Sequence, residues 1–120
     1  MISDIRVFLC DDDHLRFFGE GPCRLLHLIE ETGSLRAAAI SMGMAYTKAL
    51  SIMKHAEKNL GFPLTARRIG GKGGGGSVLT LEAKEFLHDY EVYRDACIKS
   101  SRELYTQIFS KYADEGEDGE

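Results

Sequence analysis

The basic side chains of this 120-residue chain are almost unopposed by acids in its middle third. Residues 34–80 have a formal net charge of +6, with Glu57 as the single acid, whereas the flanks 1–33 and 81–120 carry −4 and −6. The bases are Arg36, Lys48, Lys54, Lys58, Arg67, Arg68 and Lys72. Because charges are screened over about 8–10 Å, attraction to phosphates depends on local charge and not on the total. This segment is therefore a candidate phosphate-binding surface.

A glycine-rich run lies at the end of this basic segment. Six glycines surround Lys72 between residues 69 and 80, and two arginines precede them. Each glycine costs roughly 0.5–1 kcal/mol relative to alanine inside a helix or strand, so the run predicts a turn whose backbone can approach a ligand closely. The flanking residues predict strands over 64–69 and 77–80. We expect a β-hairpin, or wing, over 64–80 that presents Lys72 to a phosphate.

A glycine run of this kind also occurs in two other structures, a P-loop and a flexible linker. A nucleotide-binding P-loop needs Gly-Lys followed directly by Ser or Thr, which holds magnesium. Here Gly73 follows Lys72, which argues against that loop. A flexible linker is a better alternative, but linkers seldom begin with Arg-Arg and end in Val-Leu-Thr before a helix.

Cys10, His14, Cys23 and His27 are candidate zinc ligands. Cys23 and His27 are four residues apart on a predicted helix, and Cys10 and His14 flank an aspartate turn. Free cysteines are more often buried as small hydrophobes, so we predict neither a metal nor another cofactor. No serine–histidine–acid or paired-carboxylate pattern stands out, and we expect no enzymatic activity.

The three cysteines are odd in number and widely spaced, which favours a reducing compartment over a disulfide framework. No apolar run approaches the roughly 20 residues that a membrane span needs, and the start of the chain does not read as a signal peptide. We expect a cytoplasmic protein with no membrane partner.

The elements that position the basic segment are predicted to be mainly helical with small β-strands, an α+β fold. Short strands are expected over 5–10 and 15–18, followed by helices over 20–32, 35–42 and 46–60. Gly33 ends the first helix, Ser34 is an N-cap for the second, and Gly43 separates the second from the third. Two helices joined by a glycine turn predict a helix-turn-helix.

The third helix has one apolar and one polar face. Its predicted core positions are Ala49, Leu50, Met53, Ala56 and Leu60. We expect its opposite face to enter the major groove of DNA, although the same pattern is compatible with an ordinary solvated helix face. The predicted DNA-binding residues are Ser34, Arg36, Tyr46, Thr47, Lys48, Ser51, Lys54, Arg67, Arg68 and Lys72.

A long helix is predicted over 81–112, followed by an acidic, disordered tail over 113–120. Such a helix is too long to pack wholly on a domain of this size and commonly pairs with its copy. The stripe predicted to mediate dimerisation is Phe86, Tyr90, Tyr93, Cys97, Leu104 and Ile108. The expected organisation is therefore a DNA-binding domain over 1–80, a dimerisation helix and a tail.

Three segments resemble the N-terminal DNA-binding domain of the molybdate-responsive ModE regulators, which is akin to the LysR-type winged helix. They are Thr-Gly-Ser-Leu-Arg-Ala-Ala at 32–38, Met-Ala-Tyr-Thr-Lys-Ala at 44–49 and the glycine run with Ser-Val-Leu-Thr at 70–80. The resemblance covers about residues 20–94. It implies a winged helix-turn-helix that binds duplex DNA and regulates transcription, as a homodimer on an inverted-repeat operator.

Two departures from the ModE pattern qualify that expectation. Ala45 stands where the family usually has serine, and the oxyanion-binding domains of full-length ModE proteins do not follow. We therefore expect no molybdate sensing by this chain, and any effector sensing to come from a separate protein. Ala45 and the net acidity favour an alternative, a winged-helix dimerisation or adaptor module that binds a protein partner, whereas the basic segment disfavours it.

Overall fold

The computed structural model describes residues 1–68 and 76–118, without the side chains of 113–118. The strands are β1 (Leu9–Cys10), β2 (Arg16–Phe18), β3 (Thr65–Arg68) and β4 (Gly76–Leu79). The helices are α1 (Glu20–Thr32), α2 (Leu35–Ser41), α3 (Tyr46–Leu60) and α4 (Leu81–Asp118). The predicted mainly helical α+β class is confirmed. Within the described ranges, no helix combines the length and hydropathy that crossing a membrane requires.

The chain divides into two compact units. One runs from Phe8 to His88, and the other joins residues 1–7 to the part of α4 that follows residue 88. The first unit therefore extends beyond the expected boundary at residue 80. The reason is that the first turns of α4 are part of its core: Ala83 and Leu87 are buried, and the Phe86 ring packs edge-on against Phe18 at 4.8 Å.

The core of the Phe8–His88 unit lies where α1, α2 and α3 meet the wing and the start of α4. Its largest fully buried side chains are Phe18, Leu25, Leu26, Ile29 and Leu64. Three small or flexible side chains of α3 (Ala49, Met53 and Ala56) are buried as predicted, whereas Leu50 and Leu60 are only half-buried. Burial of apolar surface at about 25 cal/mol per Å² is what holds the helices together.

The turns between the helices follow the predicted capping pattern. Gly33 ends α1 with φ of +82°, a left-handed conformation that favours glycine, and its N–H donates to the Ile29 carbonyl. The Ser34 hydroxyl accepts a hydrogen bond from the Ala37 N–H at 2.8 Å, so Ser34 is the N-cap of α2. These two caps fix the angle at which α2 leaves α1.

The N-terminal strand is shorter than predicted. Only Leu9–Cys10 pairs with β2, because Leu9 already lies opposite Phe18 and the chain enters α1 at Glu20, which leaves residues 5–8 no strand to pair with. At the other end of β1, the Asp11 carboxylate accepts hydrogen bonds from the N–H groups of Asp13 and Leu15 in the turn that leads to β2. Residues 1–7 instead belong to the second unit. Within it the Tyr90 hydroxyl donates to the Val7 carbonyl at 2.7 Å. The prediction of a strand over 5–10 was therefore wrong for residues 5–8.

The predicted β-hairpin is present in the described residues. Strands β3 and β4 pair antiparallel, with Thr65 opposite Leu79 and Arg67 opposite Ser77. The glycine-rich tip at 69–75, with Lys72, lies outside the described residues.

Helix α4 is longer than predicted. It was expected to end near Tyr112, but its backbone is helical to Asp118, so the expected disordered tail over 113–120 does not begin at residue 113. Extending a formed helix adds one hydrogen bond per residue, and Ala and Glu are good helix formers. Residues 119–120 lie outside the described part.

Candidate nucleic-acid interface

The outer face of α3 is polar and exposed, as predicted. Thr47, Lys48, Ser51 and Lys54 are all exposed on it. A shallow depression of about 440 Å³ runs along this face, lined by Thr47, Leu50, Ser51, Lys54, His55 and Lys58. The face therefore offers hydroxyl and ammonium donors along most of the length of the helix.

A second depression, which we call the wing groove, lies between the starts of α2 and α3 and the hairpin. It has a volume of about 470 Å³ and is lined by Ser34, Leu35, Arg36, Tyr46, Thr65, Ala66, Arg67, Gly76 and Ser77. The groove brings together four predicted DNA-binding residues (Ser34, Arg36, Tyr46 and Arg67) from α2 with its cap, α3 and β3. The tertiary fold thus brings the segment 34–46 next to β3 and the start of β4.

Arg36 and Tyr46 are stacked in the wing groove. The Arg36 guanidinium carbon lies 4.2 Å from the centre of the Tyr46 ring. A cation–π contact of this kind contributes about 0.5–1 kcal/mol at an exposed site. The stack orients the planar guanidinium, whose N–H donors lie along its edge, and connects α2 to the first residue of α3.

The start of α3 is open to solvent. Its N-cap is Ala45, which makes no side-chain capping bond. The first N–H groups of a helix have no partner within the helix and carry a positive partial charge. The alanine noted as a departure from the ModE pattern therefore leaves this helix end without a cap of its own, next to Tyr46 and the wing groove.

Arg67 and Arg68 occupy different environments. Arg67 lines the wing groove and is exposed. Arg68 is exposed as well, but its guanidinium lies next to Gly33, in the turn between α1 and α2, and next to Gly76 of β4. Two adjacent residues of a strand point to opposite faces, so the hairpin presents only one of these arginines to the groove.

The basic side chains of this surface are not neutralised by nearby acids. Among the described residues, Arg36, Lys48, Lys54 and Arg67 form no ion pair. Glu57, the one acid of the basic segment, faces the protein instead: its carboxylate accepts a hydrogen bond from the Leu64 N–H at 2.8 Å. The electrostatic potential at this surface is therefore positive, because it is set by the basic side chains.

Two residues that anchor the wing were not identified from the sequence. Glu57 connects α3 to the start of the hairpin, and Thr80 connects the end of the hairpin to α4. The Thr80 hydroxyl donates to the Pro63 carbonyl at 2.8 Å and accepts from the Ala83 N–H at 3.0 Å. A threonine directly before a helical pattern is a recognised N-cap signal and would have pointed to Thr80. Nothing in the sequence pointed to Glu57.

The residues predicted for dimerisation divide into two sets. Phe86 packs against Phe18 and Phe62, and Tyr90 is bonded to Val7, so both have partners within the chain. The remaining apolar side chains of the stripe lie on the solvent side of α4. Tyr93, Leu104 and Ile108 are 56%, 54% and 56% exposed.

Cys97 is half-buried next to Tyr93 on α4. A hydrogen bond from the Tyr93 hydroxyl to Cys97 raises the pKa of Tyr93, and the electrostatic interaction with Cys97 raises it further. The Tyr93 phenol is therefore uncharged at physiological pH.

The four candidate zinc ligands do not form one cluster within the part of the chain that the structure describes. Cys10 lies at the end of β1 and His14 in the exposed turn that follows, whereas Cys23 is buried in α1. The aspartate turn thus connects the two strands of a short hairpin, and it does not bring Cys10 and His14 close to Cys23 and His27.

A helix-turn-helix followed by a two-stranded hairpin defines the winged-helix class of folds. The chain is 36% identical over 69 residues to the transcriptional regulator ModE of Haemophilus influenzae, a match that covers 58% of this chain. The chain spans only 27% of the length of that relative. No family model matches the chain.

Two solved structures share the fold. The CbnR DNA-binding domain, determined as a complex with DNA, superposes with a TM-score of 0.56 at 21% identity, covering 72% of this chain and 94% of that one. VV2_1132, a LysR family transcriptional regulator, gives 0.55 at 19% identity, covering 80% of this chain and 30% of that one. The chain therefore has the winged-helix fold of the LysR and ModE type, as its sequence predicted.

Proposed function

We propose that this chain is the DNA-binding part of a transcriptional regulator and binds duplex DNA sequence-specifically as a homodimer. The observation that carries this proposal is that the α3 face and the wing groove, which are lined by the consecutive residues Thr47 and Tyr46, both present exposed bases that form no ion pair within the described residues. The relatives named as regulators, and the CbnR domain bound to DNA, support it. We infer a cytoplasmic, non-enzymatic protein.

In this proposal α3 enters the major groove. The groove of B-DNA is about 12 Å wide and accepts one α-helix. Thr47, Lys48 and Ser51 lie on the exposed face near the start of α3 and would meet base edges. Lys54 lies further along the same face, nearer to the sugar–phosphate backbone.

The wing groove is proposed to hold the phosphates that flank the bases contacted by α3. Arg36 and Arg67 supply positive charge from its two sides. Ser34 uses its hydroxyl oxygen as an acceptor in the α2 cap, which leaves the hydroxyl hydrogen free to donate to a phosphate oxygen. Lys72 is proposed to add a contact from the wing tip.

The test is the salt dependence of binding to duplexes from the upstream region of the gene, measured by fluorescence anisotropy. If Arg36, Lys54, Arg67 and Lys72 each neutralise one phosphate, log affinity falls with log salt at a slope of about −3.6 per protomer. Affinity per protomer would then drop about 150-fold between about 50 and 200 mM salt. Affinity that is independent of salt would contradict the proposal.

A matched pair of variants tests whether the effect is local. Lys54→Ala should reduce the slope by about 0.9, because one counterion release is lost. Lys84→Ala, at an exposed lysine of α4 that lines neither depression, should leave the slope unchanged. A dimer that binds no duplex even at low salt would instead support the adaptor alternative.

The homodimer is proposed to form through the exposed stripe of α4. Tyr93, Leu104 and Ile108 are large apolar side chains at helical spacing, and a two-fold axis would place this face against its copy. Two-fold symmetry would in turn require an inverted-repeat operator with half-sites separated by whole helical turns.

The oligomeric state can be measured by sedimentation equilibrium. Leu104→Glu should shift the protein from dimer to monomer, because it places a charge in an apolar interface. Glu103→Gln changes an exposed neighbour and should leave the dimer intact. A wild-type protein that is monomeric at all accessible concentrations would refute this part of the proposal.

A further inference from the structure

Among the described residues, one backbone hydrogen bond joins the hairpin to the turn between α1 and α2. The Ser77 N–H of β4 donates to the Gly33 carbonyl at 2.7 Å, directly after the end of α1. Apart from the strand pairing itself, this is a backbone hydrogen bond between the wing and the turn that leads into α2. This hydrogen bond fixes the position of the wing relative to Ser34 and the wing groove.

The guanidinium of Arg68 lies beside this hydrogen bond, next to Gly33 and Gly76. A side-chain carbon added to Gly33 would lie 3.2 Å from Nη1 of Arg68, and one added to Gly76 would lie 2.8 Å from its Nη2. The same carbon on Gly76 would lie 2.5 Å from the Gly33 carbonyl oxygen, closer than real contacts allow. Glycine is thus needed at position 76 for the wing to reach the turn. We call Gly33, Arg68 and Gly76 the wing lock.

The charge of Arg68 suits this position. The C-terminal end of a helix carries a negative partial charge and is stabilised by a nearby cation. Helix α1 has no basic residue in its own last turn. The guanidinium of Arg68, which approaches Gly33 just after that helix end, supplies the missing positive charge from the hairpin.

We propose that Arg68 is a positioning residue that locks the wing to the α1–α2 turn, and that Arg67 is the DNA-contacting member of the pair. This replaces the expectation from the sequence that both arginines contact DNA. The DNA part of the inference rests on the proposed function. The lock itself is a property of the free protein, because its three residues and the Ser77 hydrogen bond form without DNA.

The first experiment uses the full chain without DNA. Amide hydrogen exchange is measured at Ser77 by NMR in wild type, Arg68→Ala, Arg67→Ala and Gly76→Ala. We expect Arg68→Ala and Gly76→Ala to accelerate Ser77 exchange by about 10-fold or more, because local opening becomes easier. Arg67→Ala is the matched control and should stay within about 2-fold of wild type. The proposed role of Arg68 would be refuted if the Ser77 amide exchanged at the same rate in Arg67→Ala and Arg68→Ala. It would also be refuted if that rate in Arg68→Ala equalled the wild-type rate.

The second experiment measures DNA binding of the same variants. Arg67→Ala should reduce the salt slope by about 0.9 with normal Ser77 exchange, the result expected for one lost phosphate contact. If Arg68→Ala gave this same combination, Arg68 would be a direct contact and the proposal would be wrong. If wild type bound no DNA while the exchange results held, the lock would stand and the proposed function would fall.

Discussion

Replacing Thr80 with valine should destabilise the protein by removing both hydrogen bonds of one hydroxyl. In the native structure that hydroxyl caps α4 through the Ala83 N–H and donates to the Pro63 carbonyl. Valine keeps the branched shape of threonine but can make neither bond. The end of the wing would then be held to α4 and to the start of β3 only through the main chain, where the Thr80 N–H donates to the Leu64 carbonyl.

The size of the effect follows from these two contacts. Loss of an N-cap costs about 1 kcal/mol, within a range of about 0.5–2 kcal/mol. A neutral hydroxyl–carbonyl bond contributes about 1 kcal/mol, and less here because the exposed Pro63 carbonyl can be rehydrated. The two contacts share one oxygen and do not add fully. We expect the free energy of unfolding to fall by about 1.5 kcal/mol, which lowers Tm by about 5–10 °C.

The measurement is urea unfolding followed by circular dichroism, with Thr80→Ser as the matched control. Serine retains both hydrogen bonds and loses only a half-buried methyl, worth about 0.4 kcal/mol. The capping argument would be refuted if Thr80→Ser were as unstable as Thr80→Val. It would also be refuted if Thr80→Val unfolded within about 0.3 kcal/mol of wild type, below the smallest cap effect expected.

Three further predictions test other parts of the molecule. Glu57→Ala should lower the free energy of unfolding in urea by about 1–3 kcal/mol, because the half-buried Leu64 N–H loses a charged acceptor. Glu57→Gln keeps an acceptor oxygen and should lower it by less. If the alanine and glutamine variants were equally stable, the contact would not be the reason. Tyr90→Phe should cost about 1 kcal/mol and speed tryptic cleavage after Arg6, since the bond to Val7 is lost; unchanged cleavage would contradict this. Lys48→Ala should alter base preference by about 1–3 kcal/mol in a binding-site selection, whereas an unchanged preference would remove Lys48 from base reading.

Much of the fold follows from local signals in the sequence. The bounds of α3, the glycine that ends α1 and the serine that caps α2 were predicted because each depends on a few adjacent residues. The extent of the first strand was missed because it depends on where its partner ends: β2 stops at Phe18 and α1 begins at Glu20. The length of α4 beyond Tyr112 was missed because an acidic, glycine-containing composition suggested disorder.

The candidate site was predicted less completely than the fold. Its composition was visible in the sequence, since the bases and the glycines are concentrated between 34 and 80. The pairing of Arg36 with Tyr46 was not visible, because those residues lie on different helices. The roles of Phe86 and Tyr90 also depend on partners, Phe18 and Val7, that are distant along the chain.

The sequence by itself determined that this chain has a basic helix-turn-helix with a glycine-rich wing, since charge, capping residues and helical periodicity are local properties. Only the tertiary structure decided which bases share one surface. Arg67 and Arg68 are identical in type and adjacent in sequence, but the alternation of a paired strand sends one to the wing groove and the other to Gly33. Which face of the hairpin meets the helices is fixed by packing between distant segments.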